Sequence, residues 1–124
     1  MDEFLHLVQH DPSDLVRAAA AVSLGRFLLL GELGKLRFER CEPAYETLYE
    51  IVMDADEVLS VRRRALESLA YVGTDEVTEL LLGAYDYPEE KMRISAVFGM
   101  GRSADERWIV TVMEELYSLD PEMR

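Results

Sequence analysis

A nine-residue pattern, apolar-Arg-x-x-Ala-x-x-x-apolar, occurs three times in this chain of 124 residues. It reads Val16-Arg17-x-x-Ala20-x-x-x-Leu24, then Val61-Arg62-x-x-Ala65-x-x-x-Leu69, then Met92-Arg93-x-x-Ala96-x-x-x-Met100. The chain ends on Met123-Arg124, the opening of a fourth copy. Arg62, Arg93 and Arg124 are spaced by 31 residues, and Arg17 and Arg62 by 45. Self-similarity at such a period marks a stacked array, in which each unit buries its faces against its neighbours. Apolar residues at i, i+4 and i+8 form one stripe of a helix, and the alanine in the middle lets another helix come close.

A second pattern, apolar at i, i+3, i+4 and i+7, alternates with the first. It occurs at Met1/Phe4/Leu5/Val8, Leu48/Ile51/Val52/Ala55, Val77/Leu80/Leu81/Ala84 and Ile109/Val112/Met113/Leu116. Each is again a helical stripe, and strict period-two alternation is absent, so no strand is expected. The unit is therefore helix A, turn, helix B, turn. Helices are expected at 2–9, 13–32, 43–54, 58–72, 75–86, 89–101 and 104–118.

Local signals set the boundaries. Asp11-Pro12 and Asp120-Pro121 read as an N-cap followed by proline at the first helical position. Thr74-Asp75-Glu76 and the capping-box spacing Ser103 to Glu106 read as further starts. Gly73 and Gly101 are placed where helices end on a left-handed residue. Leu24 to Leu48 spans 24 residues whereas Leu69 to Val77 spans 8, so the first repeat carries an insertion over 27–42. It is read as an elongated A helix with an ordinary loop. Neither end shows the polar cap with which solenoids finish, so residues 1–124 are expected to be one repeat domain, excised from a longer array and able to self-associate through its ends.

Composition narrows the partners. Apolar residues make up 49% of the chain, enough for a core. Thirteen Lys and Arg against 25 Asp and Glu give a net charge of −12, which argues against nucleic acid or an anionic membrane as the main partner. The single cysteine cannot form an internal disulfide, and the apolar run 18–30, broken by Arg26, is too short to span a bilayer. A cytoplasmic location is expected.

Little in the chain carries chemistry. His6 and His10, four apart on one helix, lack the third ligand a metal centre demands. Cys41, flanked by Arg40 but also by Glu42 and near Glu39, has no histidine close in sequence to activate it. The acidic clusters at Asp54/Asp56/Glu57, Asp75/Glu76/Glu79, Asp86/Glu89/Glu90 and Glu114/Glu115 lack the spacing of a calcium loop and suit turns and first helical turns. Gly31-Glu32-Leu33-Gly34 is not followed by a phosphate-binding Lys-Ser or Lys-Thr. In Arg62-Arg63-Arg64, the first arginine belongs to the repeat and the other two read as surface charge. No catalytic, cofactor-binding or metal-binding residue is assigned.

The helix pair with its Val-Arg-x-x-Ala-x-x-x-Leu signature resembles the HEAT-like repeat family, in particular the short repeats of the bilin-lyase type. The resemblance extends over nearly the whole chain and is clearest at 11–25, 56–69 and 88–101. It implies an all-α solenoid, a right-handed superhelix of antiparallel helix pairs. It also implies a structural role for Arg17, Arg62 and Arg93, each reaching an acid of the neighbouring repeat, with Asp11, Asp54 or Asp56, and Asp86 as candidates. B helices line the concave side of such arrays, which places Glu46, Tyr49, Glu50, Glu79, Arg107 and Glu114 along a groove. The function this implies is a protein–protein interaction scaffold whose acidic groove takes a basic or helical partner segment. The alternative is a subunit of a bilin lyase-type enzyme acting on a chromophore-bearing client.

Overall fold

The computed structural model describes residues 1–103, where the two patterns become six helices: α1 (Asp2–His10), α2 (Asp14–Glu32), α3 (Phe38–Met53), α4 (Leu59–Leu69), α5 (Asp75–Tyr85) and α6 (Glu90–Ser103). The arginine pattern lies on α2, α4 and α6, the A helices, and the second pattern on α1, α3 and α5, the B helices. The helix expected at 104–118, the capping box ending at Glu106 and the Asp120-Pro121 start lie outside the described residues. The described part is an all-α solenoid of helix pairs joined by short turns.

Several boundaries differ from the sequence reading. Ser13, not Asp11, caps α2: its Oγ accepts from the Val16 amide at 3.4 Å. The Asp11 carboxylate instead accepts from the Ser13 amide at 2.9 Å, so Asp11-Pro12 belongs to the turn. Thr74 caps α5 as expected, its hydroxyl accepting from the Val77 amide. Among the described residues the left-handed glycine is Gly34 (φ 73°), which closes α2, whereas Gly73 and Gly101 have ordinary backbone angles. The insertion is absorbed by lengthening both flanking helices. α2 runs for 19 residues, and α3 starts at Phe38 rather than at 43, leaving Pro43 inside the helix, where it cannot donate to the Glu39 carbonyl.

The A helices form one layer, with α2 packed on α4 and α4 on α6, and each B helix packs on the A helix that follows it. The B helices are set further apart, and α3 and α5 barely touch. The central alanines of the pattern, Ala20, Ala65 and Ala96, are buried, as are Leu24, Leu69 and Met100. Around them close Val8 of α1, Ala44, Leu48, Ile51 and Val52 of α3, and Val77 and Leu81 of α5. Close approach of α2 to α4 rests on Gly25. A Cβ there would lie 2.5 Å from Ser68 Oγ, and the Ser68 hydroxyl donates to the Ala21 carbonyl at 2.8 Å across the same contact.

Arg63 and Arg64, read from sequence as surface charge, are half-buried and tied into the A layer. Arg64 donates to Glu67 at 2.6 Å, Ser95 donates to the other Glu67 oxygen at 2.7 Å, and Arg63 donates to Ser95 at 2.8 Å. Glu67 is only 9% exposed and Ser95 is buried, so this network satisfies polar groups that would otherwise be stranded between α4 and α6. The sequence could not show it, because its members are 28 and 32 residues apart.

The three repeat arginines act alike, but not chiefly on acids. Arg62 donates through Nε and Nη2 to the Val52 carbonyl in the last turn of α3, at 3.1 and 2.9 Å. Arg93 donates to the Tyr87 and Pro88 carbonyls just beyond α5, at 2.9 and 2.8 Å. Arg17 donates to the carbonyl of Asp11, the C-cap of α1, at 2.8 Å. Each thus supplies donors to carbonyls at or just past the end of the preceding B helix, where the helix itself offers none. A carboxylate joins only at Arg17, which grips Glu57 with two bonds of 3.1 and 3.0 Å. The Asp54 and Asp56 side chains play no such part for Arg62, nor Asp86 for Arg93. The reason is distance along the helix axis: the carbonyls at the end of a B helix lie directly beside the first turn of the next A helix. Arg62→Met is accordingly expected to lower stability by about 2 kcal/mol, the worth of charge-assisted bonds to a half-buried carbonyl. Arg62→Lys should recover only part of it, because an ammonium cannot reproduce the two-pronged contact. Urea denaturation with an unchanged slope checks both.

Candidate interaction surface

The B helices carry a charge pattern that is invisible until the helices are assigned to layers. α1 and α5 contain no lysine or arginine, and α3 contains one, Arg40, in its first turn. Against this they carry Asp2, Glu3, Glu39, Glu42, Glu46, Glu50, Asp75, Glu76 and Glu79. The A helices hold Arg17, Arg26, Arg62, Arg63, Arg64, Lys91, Arg93 and Arg102. Negative charge is thus concentrated on one layer and most of the positive charge on the other.

Of the residues singled out from sequence, Glu46, Tyr49 and Glu50 sit on α3 and Glu79 on α5. The three glutamates are exposed and Tyr49 is half-buried. Arg107 and Glu114 lie outside the described residues. Glu46, Tyr49, Glu50 and Met53 follow one another at helical spacing and share one face of α3. Tyr49 stacks on Tyr45, with ring centroids 6.3 Å apart and planes at 30°.

Two contacts frame the space between α3 and α5, which run parallel as successive B helices. At one end Tyr45 Oη lies 3.1 Å from Thr74 Oγ1 and donates to Glu76 Oε2 at 3.3 Å. Burial, and then the nearby Glu76 carboxylate, push the Tyr45 hydroxyl above its ordinary pKa, so it stays protonated and able to donate. At the other end the helices part around a cleft of about 180 Å³. Val52 and Met53 form one wall, Glu79, Leu80, Gly83 and Ala84 the other, and Arg62, Tyr87 and Met92 the floor. The Arg62 guanidinium lies 5.7 Å from the Tyr87 ring centroid, a cation–π contact between two of these residues. Glu79, named from the sequence, lines this cleft, whereas Met53, Gly83 and Tyr87 look incidental until α3 and α5 are side by side.

Two further cavities lie elsewhere. One of about 580 Å³ opens where the lengthened α2 and α3 meet α1, lined by Met1, Phe27, Leu36, Arg40 and Pro43 among others. The other, about 410 Å³, lies on the A layer beside Arg26, Arg64 and Glu67. The second is also lined by Ser68, whose hydroxyl donates to the Ala21 carbonyl and not to Glu67, which accepts from Arg64 and Ser95. Cys41 is buried, with its thiol directed at the Phe27 carbonyl, and burial together with Glu32 raises its pKa, the opposite of what a nucleophile needs. His6 and His10 stand with ring centroids 5.0 Å apart on α1, and no group of three or more metal-ligating side chains is found among the described residues. No helix among them is long and apolar enough to cross a membrane.

Layered helix pairs, arginines that cap the preceding helix and a spaced B layer define a repeat-built helical scaffold. The family model of the PBS lyase HEAT-like repeat matches residues 61–87, which are α4, α5 and the turn between them, ending at the cleft residue Tyr87. This stretch is a HEAT-like repeat, and the other helix pairs repeat its arginine pattern. No curated protein matches the chain.

Proposed function

We propose that this chain is a protein–protein interaction scaffold whose B-helix face recognises a basic segment of a cytoplasmic partner. The observation that carries the reading is the partition of charge between layers: the B helices are acidic and nearly free of cations, while most cations lie on the A helices. There Arg17, Arg62, Arg63, Arg64 and Arg93 are bonded within the fold. Such a surface steers a cationic partner and fixes its orientation, and the Tyr45/Tyr49 stack offers aromatic area at low entropic cost. The residues offered for contact are Glu46, Tyr49, Glu50 and Glu79; Arg107 and Glu114, named with them from the sequence, lie outside the described residues.

The test compares two double variants that change net charge equally. Glu50→Lys with Glu79→Lys reverses the B face, and Asp14→Lys with Glu32→Lys changes the A helix α2. Binding of a fluorescent lysine-rich peptide, followed by anisotropy at rising salt, should weaken about tenfold or more for the first pair and much less for the second. Equal losses would reduce the effect to net charge and overturn the reading.

A second reading follows from the matched repeat, whose description names a PBS lyase, and from the resemblance to repeats of the bilin-lyase type. On it, the same face would hold a chromophore-bearing client, and material captured from the source lysate would carry tetrapyrrole absorbance.

A further inference from the structure

We infer that the cleft between α3 and α5 is an anchor pocket, taking one aliphatic side chain of a cationic partner segment. This rests on the reading of the B-helix face as the binding surface, and it assigns to one place the affinity that charge alone does not supply.

Three observations converge on it. The first is size: at about 180 Å³ the cleft is comparable with cavities of ~150 Å³ that hold a benzene-sized apolar group. The second is chemistry. Its walls are the side chains of Val52, Met53, Leu80 and Ala84, and Met53 stands 61% exposed at the rim, an apolar side chain unburied by the fold. Glu79 stands on the rim and Glu50 one helical turn from Met53, so an entering aliphatic group with a lysine or arginine beside it meets carboxylates. The lining cation, Arg62, is already held by the Val52 carbonyl and the Tyr87 ring.

The third observation is Gly83. Within a helix, glycine is less favourable than alanine by roughly 0.5–1 kcal/mol, so it needs a reason. Gly25, Gly31 and Gly99 have one inside the molecule, since a Cβ on them would lie 2.5 Å from Ser68 Oγ, 2.7 Å from Cys41 Sγ and 2.8 Å from Leu81 Cδ2. Among the described residues Gly101 of α6 has none, and neither does Gly83: a Cβ on Gly83 meets nothing within 4 Å. It lines the cleft, and its bare backbone is what a partner chain would need in order to approach closely enough for its side chain to reach the floor. Charge complementarity and depth together commit the occupant to a basic segment with a leucine- or methionine-sized anchor.

Methionine methyl groups give a direct readout, because Met53 and Met92 line the cleft whereas Met100 is buried elsewhere in α6. The full chain labelled with ¹³C at the methionine methyls is titrated with an amphipathic helical peptide of lysine and leucine, and with the same peptide carrying alanine for leucine. The expected result is a shift of the Met53 and Met92 resonances with Met100 unmoved, and affinity about tenfold lower for the alanine peptide. Gly83→Leu should fill the cleft and cut affinity for the leucine peptide to the level of the alanine peptide. Gly83→Ala should raise the melting temperature by about 3 °C while weakening binding, which separates recognition from folding. Binding that leaves Met53 and Met92 unshifted, or that is indifferent to Gly83→Leu, overturns the anchor and leaves the acidic face standing. Absence of binding of either peptide, or binding indifferent to Glu50→Lys and Glu79→Lys, overturns the acidic face and the anchor with it.

Discussion

Replacing Ala65 by glutamate unfolds the domain. Ala65 has no exposed surface, and it lies in the middle of α4, the helix that packs against α2, α3 and α6 at once. A glutamate there must either push those helices apart or hold a carboxylate among Val61, Leu66 and Leu69. The nearby guanidiniums are committed, Arg62 to the Val52 carbonyl, Arg63 to Ser95 and Arg64 to Glu67. Overpacking and an uncompensated buried charge each cost several kcal/mol, so a loss of about 5 kcal/mol is expected, comparable with the whole stability of many domains. Circular dichroism should show no cooperative melt. An undiminished melting temperature would mean that the central alanine of the pattern does not face the core.

Gly25→Val is the second large effect. Its Cβ would lie 2.5 Å from Ser68 Oγ, 2.7 Å from Ser68 Cβ and 3.2 Å from Ser68 Cα. The Ser68 Cβ is held in place by its backbone, so no rotamer change relieves the 2.7 Å contact and α2 must move off α4. That movement also breaks the bond from the Ser68 hydroxyl to the Ala21 carbonyl and leaves both groups buried without it. A loss of about 3–4 kcal/mol is expected. Even Gly25→Ala should destabilise, although alanine is the better helix former, because the same Cβ is introduced. The contrast with Gly83→Ala, which should stabilise, is internal to the protein: same substitution, same element type, opposite sign. Thermal melts of the pair read the difference directly.

The helices were largely legible in the chain. Five of the six start and end within a few residues of the expected bounds, because an amphipathic stripe is a local property. α3 was the exception. Its first turns, 38–42, lack the stripe and precede a proline, and they become helical only through contact with the lengthened α2, as where Gly31 meets the Cys41 side chain. The arginines were visible as a repeat, yet their partners were not, since a carbonyl has no signature in a sequence. Glu46, Glu50 and Glu79 could be found by register on their helices, whereas the cleft beside them needs Met53 and Gly83, 30 residues apart, on adjoining helices.

The repeat, the helical periodicity, the alternation of A and B helices and the net negative charge are written in the chain. These follow from spacing and side-chain type alone, which any stretch of chain carries with it. Which faces meet was settled by packing. It set Gly25 against Ser68, buried Glu67 between Arg64 and Ser95, turned the repeat arginines onto carbonyls, and left α3 and α5 apart with a cleft between them. The physical reason is that close packing and hydrogen-bond geometry act between residues distant in the chain, where differences of a few tenths of an ångström decide whether a contact holds.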